Sequence, residues 1–104
     1  MDYLGFFRKP RVLFIEDDAV IALLVEQVLI ECGCECVGPV AHIPEALDFA
    51  KTAEVDAALL DVIIDGSYVD EVAETLALRG IPFSFVFSGA PEQHCEKVEQ
   101  NPIH

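Results

Sequence analysis

Ala57-Ala58-Leu59-Leu60-Asp61-Val62-Ile63-Ile64 is a run of eight residues in which Asp61 alone is polar. An apolar run of this length reads as a strand buried on both faces, over 56–64, the signature of a parallel sheet. Leaving an unpaired carboxylate in such a place is costly, because burial removes the water that stabilises its charge. The plain alternative is that Asp61 only ends the strand and caps a turn. Asp65-Gly66 already supplies turn chemistry there, so Asp61 stands out as a candidate functional group.

Working outward, Arg11 to Ile15 is a short apolar run stopped by Glu16-Asp17-Asp18, which predicts a first buried strand. Over 19–32, Ile21, Leu24, Val25, Val28 and Leu29 recur at helical spacing. Asp17 or Asp18 can cap that helix and Gly33 can close it. A strand over 34–40 broken by Gly38-Pro39 and a helix over 44–52 carrying Ala46, Leu47, Phe49 and Ala50 come next. Past the Asp61 strand, a helix is expected over 68–78 with Gly80 as its stop, then a strand over 81–87 and a short polar helix opened by Pro91. Strands alternating with helices predict an α/β fold: a flavodoxin-like, doubly wound parallel sheet with right-handed crossovers, truncated to about four strands in the order 2-1-3-4. Residues 1–10 read as an N-terminal extension and 11–104 as one domain, incomplete at its C-terminal end.

Composition narrows the function. The 104 residues are 53% hydrophobic, enough for one core, and the formal net charge of −13 repels phosphate backbones and anionic lipid. Neither nucleic-acid nor membrane binding is expected, no run reaches the length of a membrane span, and a cytoplasmic location follows from the lack of a leader pattern. Of four cysteines, three lie in Cys32-Gly33-Cys34-Glu35-Cys36, and reduced thiols are expected. The spacing does not suit zinc, since Cys95 with His94 or His104 would be the only distant partners. Cys34 and Cys36 read instead as small hydrophobes on one strand face.

In an open parallel sheet, functional groups collect beyond the carboxyl ends of the strands where strand order reverses, here between the first and third strands. That brings Glu16 and Asp17 to Asp61. Three converging carboxylates need raised pKa values or a cation, and an all-oxygen set at a strand edge suits Mg2+, which keeps several waters. Asp18 reads as a helix-end residue favoured by the dipole. Ser88, followed by the small residues Gly89 and Ala90, brings a hydroxyl to the same edge, or else caps the helix at Pro91.

Val12-Leu13-Phe14-Ile15-Glu16-Asp17-Asp18, Ala58-Leu59-Leu60-Asp61-Val62 and Phe87-Ser88-Gly89, in this order and spacing, resemble the receiver domain of two-component response regulators from residue 11 to about residue 102. Arg79-Gly80-Ile81-Pro82-Phe83 further resembles stand-alone bacterial receivers with a Phe-Ala-Thr-Gly-like fourth strand. The resemblance implies that Asp61 accepts a phosphoryl group from the phosphohistidine of a histidine kinase or phosphotransfer protein. It implies Mg2+ held by Asp17, Asp61 and the backbone carbonyl of Ile63, with Glu16 acting mainly through water, and Ser88 bonding a phosphoryl oxygen. A downstream protein partner would then read the phosphorylated state.

Receivers also place a lysine at the end of a fifth strand, and the sequence stops at His104, before such a strand would begin. Lys97, the only lysine after Ser88, lies in a polar helical segment. Phe83, Phe85 and Phe87 then line one face of an edge strand, an arrangement that invites association with a second copy, a partner, or the segment Tyr3-Leu4-Gly5-Phe6-Phe7. A degenerate receiver that binds partners without phosphorylation is the alternative function. Phosphotransferases, nucleases and aspartyl phosphatases fit poorly, because they want Asp-x-Asp where this chain has Asp17-Asp18 and Asp61-x-x-x-Asp65.

Overall fold

Val12, Leu13, Phe14 and Ile15 leave no polar face on the first apolar run, so the chain buries it at the centre of a sheet as β1 (Arg11–Ile15). The computed structural model describes residues 8–64 and 66–86. After β1 come α1 (Ala19–Glu31), β2 (Glu35–Val40), α2 (Ile43–Thr52) and β3 (Ala57–Asp61). A two-residue pair, β4 (Ile63–Ile64) and β5 (Ser67–Tyr68), precedes α3 (Asp70–Leu78) and β6 (Phe83–Val86). The main sheet has the order β2-β1-β3-β6 with every pairing parallel, the expected 2-1-3-4 arrangement of a flavodoxin-like sheet.

The two faces of the sheet are covered differently. Leu13 and Ile15 of β1, Ala58 and Leu60 of β3 and Phe83 of β6 share a core with Ala46 and Ala50 of α2 and Val72, Ala73 and Leu76 of α3. Strand alternation sends Val12 and Phe14 to the opposite face, the side of α1. Phe83 and Phe85 share a strand face as expected, with rings edge to face at 5.8 Å. That face belongs to the core: Phe83 is buried and Phe85 packs against the cluster, so neither forms an exposed apolar edge. Phe87, the Tyr3 to Phe7 segment, the short helix after Pro91, and Ser88, Cys95 and Lys97 lie outside the described residues.

Three expectations need correction. The strand over 56–64 is divided: β3 ends at Asp61, and Ile63–Ile64 turn back at Gly66 to pair antiparallel with Ser67–Tyr68. The helix expected from residue 68 therefore starts at Asp70, after the Val69 N–H closes the hairpin on the Val62 carbonyl at 2.9 Å. On α1, helical spacing groups Leu24 and Val28 with the inward face, yet they are 58% and 56% exposed. Ala22 is the buried residue, with Ile21, Val25 and Leu29 half-buried beside it. The reason is that Val20 to Val25 is apolar all the way round, so periodicity alone does not select the face.

Candidate functional site

β1 and β3 lie side by side in register, with Leu13 opposite Ala58 and Ile15 opposite Leu60. The next residue on each strand is Glu16 on one and Asp61 on the other, so both acids leave the sheet at the same carboxyl edge. The three consecutive acids after β1 are then sorted by backbone geometry. Glu16 turns inward and is 2% exposed, its N–H donating to the Val40 carbonyl at 3.0 Å. Asp17 is exposed. Asp18 is the N-cap of α1, its Oδ1 accepting from the N–H groups of Val20 at 2.9 Å and Ile21 at 3.0 Å.

One carboxylate oxygen from each of Glu16, Asp17 and Asp61 lies within 4.8 Å of the others, so the predicted cluster is assembled. Glu16 accepts from the Asp18 N–H through Oε2 at 3.2 Å, while its Oε1 is fully buried with no hydrogen-bond partner among the described residues. Burial pushes the Glu16 carboxyl up to about 8; hydrogen bonding to Asp61 and the charges of Asp61 and Asp17 act in the same direction, and the Asp18 N–H partly opposes them. A buried acid so disposed keeps its proton at neutral pH unless a cation replaces it. The donor set fits a hard divalent ion: three residues each offer a carboxylate oxygen within a span comparable to the ~4 Å across an octahedral Mg2+ shell, and Glu16 has one oxygen without a hydrogen-bond partner among the described residues.

Ile63 stands two residues past Asp61 as the first residue of β4, half-buried where the chain turns back. Gly38 and Val40 of β2 read in the sequence only as an interrupted strand, yet the Val40 carbonyl anchors the Glu16 backbone. The available signal is the glycine itself, since glycine inside a strand pattern marks a bulge or a close backbone approach. Cys32, Cys34 and Cys36 are free thiols, and none joins a metal-sized cluster among the described residues.

No family model matches the sequence and no curated protein does. Solved structures do. SdrG from Sphingomonas melonis Fr1 is 35% identical with a TM-score of 0.74, over 81% of this chain and 72% of SdrG. The response regulator PhyR from Brucella abortus is 34% identical with a TM-score of 0.67, over 74% of this chain and 32% of PhyR. The signal receiver domain of a modulated diguanylate cyclase from Desulfovibrio desulfuricans G20 is 28% identical with a TM-score of 0.66, over 91% of this chain and 78% of that domain. The chain belongs to the receiver domains of response regulators. SdrG from Pseudomonas melonis Fr1 in its BeF3-activated conformation is also similar, at 33% identity and a TM-score of 0.70 over 88% of this receiver and 79% of SdrG. As a receiver, the chain is a phosphoacceptor module of signalling. No helix among the described residues is long and apolar enough to cross a membrane.

Proposed function

We propose that this receiver, taken as residues 11–104, accepts a phosphoryl group on Asp61 from a histidine kinase or phosphotransfer protein in the cytoplasm, and that the change is read by a downstream protein. The observation that carries this reading is the convergence of Glu16, Asp17 and Asp61 at the edge between β1 and β3. In the transfer, an Asp61 carboxylate oxygen bonds to phosphorus as the phosphorus–nitrogen bond of the donor breaks, and the leaving imidazole takes a proton from solvent. β3 fixes the Asp61 backbone for this attack through its pairing with β6.

Asp17, Asp61 and the Ile63 carbonyl would hold Mg2+, with Glu16 acting through water, and the ion would supply neutralisation of charge on the phosphoryl oxygens. Ser88 would bond one of those oxygens once transfer is complete. Intact-mass spectrometry after incubation with acetyl phosphate and Mg2+ tests the reading. One added phosphate, absent from Asp61→Asn, is the expected result; no added phosphate on the native chain would leave a phosphorylation-independent interaction module in its place.

A further inference from the structure

β1 and β2 pair residue for residue from Arg11 with Glu35 to Leu13 with Val37, but Ile15 then faces Val40. Two steps along β1 match three along β2, so β2 carries one extra residue, a bulge rarely found between parallel strands. Gly38 lies in the bulge with φ of +119°, and a Cβ there would stand 2.5 Å from the Phe14 carbonyl oxygen and 3.0 Å from the Val40 nitrogen. Both are backbone atoms, which no side-chain rotation relieves. Past the bulge, the Val40 carbonyl receives the Glu16 N–H at 3.0 Å. Without the extra residue, Ile15 would face Pro39, which has no N–H to give the ladder, and the Glu16 N–H would meet the Pro39 carbonyl in place of that of Val40.

We propose that Gly38 is a positioning residue for the acid cluster: only a residue with no L-type Cβ lets β2 bulge against the Phe14 carbonyl, and that bulge places the Val40 carbonyl where it fixes Glu16 beside Asp17 and Asp61. The inference rests on the metal-binding reading of that cluster. Its geometry has an internal control in Gly33, in the turn after α1, which has a positive φ of +84° but nothing within 4 Å of the point where a Cβ would stand. Gly33→Ala therefore imposes backbone strain without the contact.

The test is Mg2+ titration by calorimetry of the native chain, Gly38→Ala, Gly33→Ala, and a semisynthetic chain with D-alanine in place of Gly38. D-alanine suits positive φ and puts its methyl on the side away from the Phe14 carbonyl. Displacing an outer-shell support weakens metal affinity about 10–100-fold, so Gly38→Ala is expected to fall in that range, with the Gly33→Ala and D-alanine chains within about twofold of native. Faster hydrogen exchange at the Glu16 amide is expected in Gly38→Ala alone. Native-like affinity in Gly38→Ala, or an equal loss in Gly33→Ala, overturns the proposal and leaves the metal reading intact. A native chain that binds no Mg2+ overturns both. If Gly38→Ala does not fold, the D-alanine chain decides: native-like affinity supports the role, and a tenfold loss in a folded chain contradicts it.

Discussion

Glu16, Asp17 and Asp18 are three adjacent acids with three different environments: buried, exposed, and bonded to the first turn of α1. Glu16 carries a pH dependence whose sign follows from its surroundings. Its carboxyl is raised from 4.5 to about 8 in the folded chain, so between those values the folded state holds a proton that the unfolded state has released. The associated stability is fully present below 4.5 and is lost as pH rises through about 8. The metal-free protein should accordingly melt lower near pH 9 than near pH 5, and Glu16→Gln should reduce that difference by several degrees, read by thermal denaturation. Mg2+ competes with the same proton, so its affinity should rise over this pH interval. The two neighbouring aspartates should separate cleanly. Asp17→Asn is expected to weaken Mg2+ binding at least tenfold without loss of fold. Asp18→Ala is expected to lose about 1 kcal/mol, or about 4–8 °C in Tm, with Mg2+ affinity little changed.

Among the elements, α2 and α3 are tied together at their ends by one side chain. The Arg79 guanidinium donates to the Ala50 carbonyl at 2.6 Å and the Ala53 carbonyl at 2.8 Å, filling acceptors that the end of α2 leaves open. Arg79→Ala should destabilise the domain by about 1–3 kcal/mol, the range for hydrogen bonds from a charged donor, seen as a lower urea midpoint with unchanged Mg2+ affinity. The elements themselves are largely legible in the sequence, because β1 and β3 are apolar runs bounded by acids and the later helices carry a polar face. α1 is legible as a helix but not in its orientation, since its stretch from Val20 to Val25 is apolar on every side. The β4–β5 hairpin is hidden because Ile63 and Ile64 continue the apolar run of β3 without a break in composition. Only the turn at Asp65-Gly66 signals it, and a turn by itself marks no more than the end of a strand.

For the whole molecule, the acid cluster is legible because topology does most of its assembly: parallel β1 and β3 must end at the same edge, where Glu16 follows β1 and Asp61 ends β3. The burial of Glu16 and the β2 bulge before its backbone bond to Val40 are not, since no composition or periodicity records a one-residue register shift. The formal charge of −13 adds a molecule-wide term. Self-repulsion on that scale is screened by salt, so raising NaCl from about 10 mM to about 500 mM should raise Tm by a few degrees in Asp61→Asn as well as in the native chain. Mg2+ at equal ionic strength should raise Tm further in the native chain alone, because only a specific site stabilises by mass action. The central claim is that Asp61, rather than either neighbouring acid, accepts the phosphoryl group. Borohydride reduction of the acetyl-phosphate-treated chain converts an aspartyl phosphate to homoserine, which peptide mass spectrometry locates. Homoserine at position 61 alone is the predicted result, whereas a reduced residue at position 16 or 17, or none at all, would contradict it.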